Sequence, residues 1–175
     1  MIRKATKKDI DGIVAIYDKI LDLQDEGKMS IGWAKNVYPT RDTVRKALER
    51  DDLFVYEEKG KIIASAIINQ IQVDVYEGAS WEYSANDDEV LVIHTLTVDP
   101  SSSHKGIGKE FLEFYENRAK ENGIYELRLD TNEINKIARS FYKKAGYKEI
   151  GVAKTVFNGI PNVNLILIEK NLKKK

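Results

Sequence analysis

The stretch SSSHKGIGKEF, residues 101 to 111, places small residues, glycines and cations immediately before a helical pattern. Gly106 and Gly108 lack the Cβ atoms that would keep an anion away from main-chain N–H groups. Lys105 and Lys109 add positive charge beside them. Because the first turn of a helix carries unpaired N–H groups and a partial positive charge, this spacing predicts an anion cradle. The same glycines would also suit a tight strand-to-helix connection that binds nothing.

Two common phosphate-binding loops do not fit this stretch. The nucleoside-triphosphate loop requires a glycine where Ser103 stands, and a Ser or Thr where Glu110 stands. The dinucleotide fingerprint requires a small residue where Phe111 stands. Both of these nucleotide classes are therefore disfavoured as ligands.

Composition excludes several other kinds of chemistry. The absence of cysteine removes disulfides and thiolate chemistry, and makes a reducing cytoplasm the expected location. With His94 and His104 as the two imidazoles, a metal site is not expected. Lys plus Arg and Asp plus Glu number 28 each, and this balance indicates neither a nucleic-acid nor a membrane partner. No signal peptide or long apolar run is present, so we expect a soluble, unexported protein.

The elements around the glycine stretch follow from its hydrophobic pattern. Residues 90–98, VLVIHTLTV, are almost continuously apolar, as in a strand covered on both faces. A helix is predicted over 107–121, and a second begins near Ile134 and stops at Gly146. The apolar side predicted for the second helix comprises Ile134, Ile137, Ala138, Phe141 and Ala145.

The rest of the chain completes an α/β pattern. Thr6 and Asp9 form a capping box before one helix, residues 24–38 form a loop with room for a short helix, and another helix follows to Leu48. The remaining strands are predicted at 2–5, 53–58, 61–71, 125–131, 147–157 and 162–168. We predict one α/β domain over residues 1–172, with a mixed, mostly antiparallel sheet and helices on both faces, and a basic tail at 173–175.

Residues 90–151 resemble the core of the GCN5-related N-acetyltransferase (GNAT) superfamily. The family's loop pattern, Gln/Arg-x-x-Gly-x-Gly/Ala, corresponds here to SHKGIG, with a departure at Ser103. A second family signature is matched by Asn135, Ala138, Phe141-Tyr142 and Gly146-Tyr147. Two signatures at the expected separation are more specific than either one alone.

This resemblance implies a GNAT sandwich with a splayed central strand pair, and acetyl-CoA (coenzyme A) as cofactor. The strand near Leu96–Val98 would pair with the pantetheine arm and offer a main-chain N–H to the oxyanion, while the loop amides would bind the pyrophosphate. The cofactor-binding residues that the resemblance implies are Leu96, Thr97, Val98, Ser103, His104, Lys105, Gly106, Ile107, Gly108, Lys109, Asn135 and Tyr142.

Transfer of an acetyl group to an amine requires help with two protons. An amine of pKa ~10.4 is mostly protonated at neutral pH, which costs about 4–5 kcal/mol without a base or water relay. The leaving thiolate needs a mild acid, and a tyrosine of pKa about 10 can supply the proton. Tyr142 is predicted to be that acid by its match to the family's tyrosine, with a core aromatic as the plainer reading. Asn135 is read as a helix cap, a cofactor contact, or both.

The base is less well determined. His94 titrates in the useful range and precedes the segment expected to pair with pantetheine, so it is a candidate catalytic base as well as a structural histidine. Asp130 and Glu89 are competing carboxylates that also read as solvated charges at strand ends. His104 could touch the cofactor from the loop or face water.

The predicted acceptor-binding residues are Trp33, Trp81, Tyr83 and Asp130. Aromatic rings beside acidic residues suit a cationic amine. Trp81 and Tyr83 equally read as strand residues that extend the sheet. The acceptor is therefore expected to be a primary amine on an unidentified small molecule or peptide, and homodimer formation is left open.

Three functions stay open on the sequence. The first is an acetyl-CoA-dependent N-acetyltransferase, which Tyr142 and Asn135 favour. The second is a non-catalytic acyl-CoA-binding module of the same fold, to which the departure at Ser103 lends some weight. The third is an unrelated α/β protein that binds a different phosphate ligand.

Overall fold

Seven β-strands and four α-helices follow one another along residues 1–173, the part of the chain that the computed structural model describes. The strands are β1 (Ile2–Lys4), β2 (Leu53–Glu58), β3 (Lys61–Asn69), β4 (Val90–Val98), β5 (Glu126–Asn132), β6 (Lys148–Phe157) and β7 (Ile160–Asn171). The helices are α1 (Ile10–Asp25), α2 (Arg41–Glu49), α3 (Ile107–Glu121) and α4 (Lys136–Lys144). Within these residues, no helix has the length and apolar character needed to cross a membrane.

The strands form a sheet in the order β1-β2-β3-β4-β5-β7-β6. Strand β4 pairs in parallel with β5, whereas β1–β2, β2–β3, β5–β7 and β6–β7 are antiparallel. The expected α/β fold with a mixed, mostly antiparallel sheet is therefore confirmed. The β4–β5 register runs only from Val90 opposite Glu126 to Val92 opposite Arg128, although both strands continue further. Such a short register is what a splayed strand pair requires.

The chain divides into two compact units, and β4 and α3 each contribute residues to both. The first unit comprises Met1–Met29, Trp33–Ile68 and His94–Phe114. The second comprises Ser30–Gly32, Asn69–Ile93 and the described residues from Tyr115 onward. The single domain expected over residues 1–172 stays a prediction. Of the tail expected at 173–175, residues 174 and 175 lie outside the described residues.

In the first unit, helices begin where the sequence supplies caps. A capping box of Thr6 and Asp9 opens the turn that leads into α1, and Thr40 caps α2. The apolar side of α1 is buried through Ile13, Ile16, Tyr17, Ile20 and Leu21. The loop at residues 24–38 contains an isolated bridge between Ala34 and Tyr38 instead of the short helix for which the sequence left room.

In the second unit, part of the core is covered by an irregular segment. We call residues 70–89 the insertion; its regular structure consists of two short 3-10 turns, Asp74–Tyr76 and Asp87–Glu89. The buried cluster beneath it comprises Tyr76, Val90, Val92, Val163, Leu165 and Leu167. The alternative reading of Trp81 and Tyr83 as strand residues is wrong, because neither lies in a strand, and Trp81 packs against this core.

The inward side of α4 also differs from the expected one. Ile134 is 50% exposed and Ile137 is 73% exposed, whereas Tyr142 is only 8% exposed. Ala138 and Tyr142 are four residues apart and are both at least half-buried, so they define the stripe that packs inward. Ile137 lies about a quarter-turn from that stripe and faces solvent.

Candidate functional site

The loop after β4 is anchored by a buried aspartate. The Asp99 carboxylate is 1% exposed and accepts hydrogen bonds from the Ser101 main-chain N at 3.0 Å and from the Ser101 Oγ at 2.7 Å. The Lys19 Nζ donates to it at 2.8 Å. Burial alone would raise the pKa of Asp99, but the Lys19 and Ser101 hydrogen bonds outweigh it and lower the pKa to about 2. The residue at which the loop begins, Asp99, is therefore ionised and held in place.

Beyond this anchor, the backbone opens into a row of main-chain donors. His104 and Gly106 have φ values of 69° and 78°, and this alternation of conformation turns successive N–H groups towards one side, as in an anion-binding nest. The first intrahelical bond of α3 runs from the Glu110 N to the Gly106 O at 3.0 Å. Among the described residues, the amides of residues 106–109 have no hydrogen-bond acceptor.

The surroundings of these amides leave room for a ligand. A Cβ built on Gly106 would meet no atom within 4 Å. Ile107 is buried and fixes the start of α3, whereas Lys105 and Lys109 are exposed cations. The Ser103 hydroxyl donates to the Pro100 O at 2.8 Å, so this side chain is already used within the loop. Residues 103–109, which we call the cradle, fit a diphosphate held chiefly by the main chain.

The strand before the cradle carries an unusual backbone. Thr95 has a φ of 50°, in the left-handed region, although it lies inside β4. Its Oγ1 is hydrogen bonded to the hydroxyl of Tyr38. Next to it, His94 is half-buried, and Thr97 is buried with its Oγ1 2.9 Å from the Ser65 Oγ. The side chain of Thr97 is therefore engaged within the protein. The polar groups that Leu96, Thr97 and Val98 can offer a ligand are their main-chain N–H and C=O groups.

In the second unit, two residues of the second family signature lie at α4: Asn135 at its N-cap and Tyr142 within it. The Asn135 Oδ1 accepts from the Ala138 N at 3.1 Å, so the expected helix cap is confirmed. The Tyr142 ring packs against Phe141 and Tyr147, with centroids 5.2 Å and 5.9 Å away. The Tyr142 hydroxyl has no hydrogen-bond partner among the described residues, and it is not one of the polar atoms sealed from solvent. Burial raises the pKa of Tyr142, so the hydroxyl is protonated at neutral pH.

A carboxylate on β5 is held by a tyrosine of the insertion. The Tyr76 hydroxyl donates to the Asp130 Oδ2 at 2.6 Å. Burial raises the pKa of Asp130 to about 6, and the Tyr76 hydrogen bond opposes that rise. The Asp130 side chain is only half-buried, and Tyr76 is its sole hydrogen-bond partner among the described residues. One carboxylate oxygen is thus left to accept a proton or bind a cation.

The aromatic residues expected to bind the acceptor are engaged with the protein itself. The Trp81 Nε1 donates to the Tyr76 O at 2.9 Å, and the Arg128 guanidinium lies 4.2 Å from the Trp81 ring centroid. The main-chain O of Tyr83 accepts from the Arg128 Nη2 at 3.0 Å. In the first unit, Trp33 makes an edge contact with Tyr38. A substrate role for Trp33, Trp81 or Tyr83 stays a prediction.

Two further features of the second unit were not expected from the sequence. Tyr115, which is 0% exposed, donates its hydroxyl to the Leu91 O at 2.5 Å and lies 3.3 Å from the Arg128 O, where the β4–β5 register ends. Nearby, Glu126 and Glu169 are both buried, and burial together with the neighbouring Glu169 raises the pKa of Glu126 well above its usual range. Partners so distant in sequence leave no local pattern by which they could be found.

The expected site residues thus fall into two sets. The first unit contains the cradle, Leu96–Val98, His94 and Trp33. The second contains Asn135, Tyr142, Asp130, Trp81 and Tyr83. The remaining candidate carboxylate, Glu89, caps a 3-10 turn by accepting from the Asn86 N at 2.8 Å, which gives it a structural role.

Comparison with known proteins points to one family. The sequence model described as Acetyltransferase (GNAT) family matches residues 18–147. An uncharacterized N-acetyltransferase of Methanocaldococcus jannaschii is 27% identical over 159 residues, which cover 87% of this chain and 62% of that protein. The chain therefore spans less than two thirds of that relative's length.

Solved structures share the fold. An N-acetyltransferase from Staphylococcus aureus Mu50 superposes with a TM-score of 0.71 at 22% identity, covering 98% of each chain. A Salmonella typhimurium protein, solved with its cofactor acetyl-CoA, gives a TM-score of 0.70 at 17% identity, covering 100% of this chain and 95% of that one. At these identities, the similarity establishes the common fold alone.

Proposed function

The chain belongs to the acetyltransferase (GNAT) family, and from this premise we propose that it is an acetyl-CoA-dependent N-acetyltransferase acting on a primary amine. The observation that carries the proposal is the row of main-chain N–H groups at residues 106–109, which have no acceptor among the described residues. N–H groups in the first turn of a helix have no intrahelical acceptor, so a bound diphosphate would supply acceptors and stabilise them. The open space at Gly106 supports the same ligand.

In this proposal, acetyl-CoA supplies an acetyl group activated as a thioester. The cradle holds the diphosphate through the main chain, so the departure at Ser103 removes a side-chain contact without removing the principal donors. Main-chain N–H groups of Leu96–Val98 stabilise the negative charge that develops on the carbonyl oxygen. Holding the thioester in one orientation is itself a large part of the rate enhancement.

Two side chains move protons in this scheme. As the amine nitrogen forms its bond to the acetyl carbon, the carbon–sulfur bond breaks and the Tyr142 hydroxyl gives its proton to sulfur. Tyr142 is protonated at neutral pH and can therefore donate, but its raised pKa makes it a weaker acid than an ordinary tyrosine, so the transfer depends on placement of the hydroxyl beside the sulfur. Tyr142 is then reprotonated from solvent.

The proton of the amine requires a base, and Asp130 is favoured by a specific observation. It is a half-buried carboxylate with a pKa of about 6, and one of its oxygens is held by Tyr76. A base with this pKa is ionised at neutral pH and is stronger than an ordinary carboxylate. His94 is the alternative base, and its place on β4 is compatible with that role.

Calorimetry combined with a thiol-release assay tests the proposal. We expect acetyl-CoA and CoA to bind and NAD and ATP not to bind, and at least one amine in a panel of small amines and peptide N-termini to accelerate thiol release. Binding without release for any amine would favour the non-catalytic acyl-CoA-binding module. Failure to bind either CoA species would contradict both functions.

A further inference from the structure

A strained residue lies inside β4. Thr95 has a φ of 50°, which the β-branched side chain of threonine makes unfavourable. Such conformations persist only where surrounding contacts determine them, and they are frequent at functional sites. A left-handed residue within a strand also redirects the N–H and C=O groups that follow it. The contacts of Thr95 therefore influence how Leu96–Val98 present their main-chain groups.

The contact that holds Thr95 comes from 57 residues away in the sequence. The hydroxyl of Tyr38 is hydrogen bonded to the Thr95 Oγ1. Tyr38 is itself fixed, because its main chain forms a two-way bridge with Ala34 through hydrogen bonds of 3.0 Å and 3.2 Å. Its ring makes an edge contact with the Trp33 ring, with the ring centroids 6.0 Å apart. The main-chain O of Trp33 accepts a hydrogen bond from the Gln24 Nε2 at 2.5 Å. These contacts connect the Tyr38 side chain to α1 through Trp33.

The strand after Thr95 is anchored at its other end. The Thr97 Oγ1 lies 2.9 Å from the Ser65 Oγ, and the Asp99 N donates to the Ile63 O at 2.7 Å. With these points fixed, the conformation of Thr95 sets the direction of the intervening main chain at Leu96. In the proposed function, the main-chain N–H groups of Leu96–Val98 stabilise the oxyanion.

We propose that the Tyr38 hydroxyl is a positioning group for acetyl transfer: its hydrogen bond keeps Thr95 in the left-handed conformation and thereby orients the main-chain N–H groups of Leu96–Val98. This inference rests on the proposed function. Tyr38 acts through Thr95 and is not assigned any contact with the substrate.

Replacement of Tyr38 by phenylalanine removes only the hydroxyl and tests this role. For Tyr38→Phe, we expect kcat to fall by about 10- to 100-fold, while the Kd for acetyl-CoA and the Tm stay close to those of the wild type. Tyr125→Phe is the matched control, because the Tyr125 hydroxyl has no hydrogen-bond partner among the described residues, and it should leave kcat unchanged. A loss confined to Tm or to acetyl-CoA affinity would overturn the proposal.

Substitutions at Thr95 separate positioning from a general structural effect. Thr95→Val removes the hydroxyl but keeps the shape, so combining it with Tyr38→Phe should give about the same loss as either change alone. Thr95→Gly accepts a positive φ without strain and should restore much of the activity lost in Tyr38→Phe. Additive losses, together with no rescue by glycine, would overturn the proposal.

A measurement independent of turnover separates this inference from the proposed function. In Tyr38→Phe, the NMR chemical shifts of the Leu96 and Val98 amides should change relative to the wild type, whereas Tyr125→Phe should leave them unchanged. Unchanged shifts in Tyr38→Phe would overturn the positioning role even if the enzyme were active. Changed shifts in a protein that transfers no acetyl group would support the effect on the strand while contradicting the proposed function.

Discussion

The cradle and the insertion are both irregular segments, yet they use their polar groups in opposite ways. In the cradle, the main-chain donors of residues 106–109 have no acceptor among the described residues, and the lysines point into solvent. In the insertion, Trp81, Tyr76 and the Tyr83 carbonyl all bind groups of β5 or of the insertion itself. The first arrangement suits a ligand and the second suits a scaffold. We therefore propose the cradle, where polar backbone is exposed, as the binding region in preference to the aromatic insertion.

The largest effect is expected in the insertion, on the free energy of unfolding. Arg128 is buried, donates to the Gln72 Oε1 at 2.9 Å and lies over Trp81, and its Nε is 3.6 Å from the Glu126 Oε1. Arg128→Ala would leave a buried acidic pair without its cation and release the insertion. We expect a loss of about 3–5 kcal/mol in the free energy of unfolding, measured in urea.

The exposed pair of Arg41 and Asp11 provides the control for this change. Arg41→Ala should alter the free energy of unfolding very little, since exposed ion pairs contribute weakly. A similarly small effect for Arg128→Ala would show that the insertion is not held by its side chains, and the contrast with the cradle would fail.

The next largest effect is expected on kcat, when the proposed proton donor Tyr142 is changed. Tyr142→Phe should lower kcat by about 100-fold or more, because the leaving thiolate loses its proton donor, while the Kd for acetyl-CoA stays nearly the same. Steady-state rates at saturating substrates and calorimetry measure the two quantities. Tyr125→Phe again serves as the control, and an unchanged kcat in Tyr142→Phe would remove Tyr142 from the acid role.

The fold was predictable where local patterns are strong. The limits of β4 and α3 agree with the sequence because an apolar run ends at Asp99-Pro100 and glycines frame the helix. The open backbone at Gly106 was predictable for the same reason, since glycine carries no Cβ, whereas anion binding at the cradle stays a prediction. The predicted apolar side of α4 was wrong at Ile134 and Ile137, because these exposed isoleucines resemble core residues in sequence.

The partners within the site could not be predicted in the same way. Tyr76 meets Asp130 across 54 residues, and Tyr38 meets Thr95 across 57. Each hydrogen bond joins a residue outside the strands to a strand residue far away in the sequence, and no spacing within a short window encodes it. The acidic pair of Glu126 and Glu169 likewise exists only because β5 and β7 are neighbours.

A smaller effect probes how the insertion tunes Asp130. The Tyr76 hydrogen bond lowers the pKa of Asp130, so Tyr76→Phe should raise it and move the acid limb of the kcat/KM profile up by as much as about one pH unit. Because the pKa of Asp130 is already raised in the folded state, this group stabilises the protein as pH falls from about 6 towards about 4. Tyr76→Phe should strengthen that trend.

The pH–rate profile of Asp130→Asn provides the comparison for this shift. Removal of the carboxyl should abolish the limb altogether if Asp130 is the base. A limb that stays in place in both variants would assign the base to another group, and His94 would then be the candidate to test.

The most direct test of the account compares two glycines in the same conformation. Gly106 in the cradle and Gly60 in the β2–β3 turn have φ values of 78° and 76°, and a Cβ on either would meet no atom within 4 Å. Valine at each position therefore carries a similar backbone penalty, but only Gly106→Val crowds the cradle amides. By calorimetry, we predict that Gly106→Val weakens acetyl-CoA binding by about tenfold or more and that Gly60→Val leaves it within about twofold. Equal affinities in the two variants would contradict the claim that this backbone holds the diphosphate.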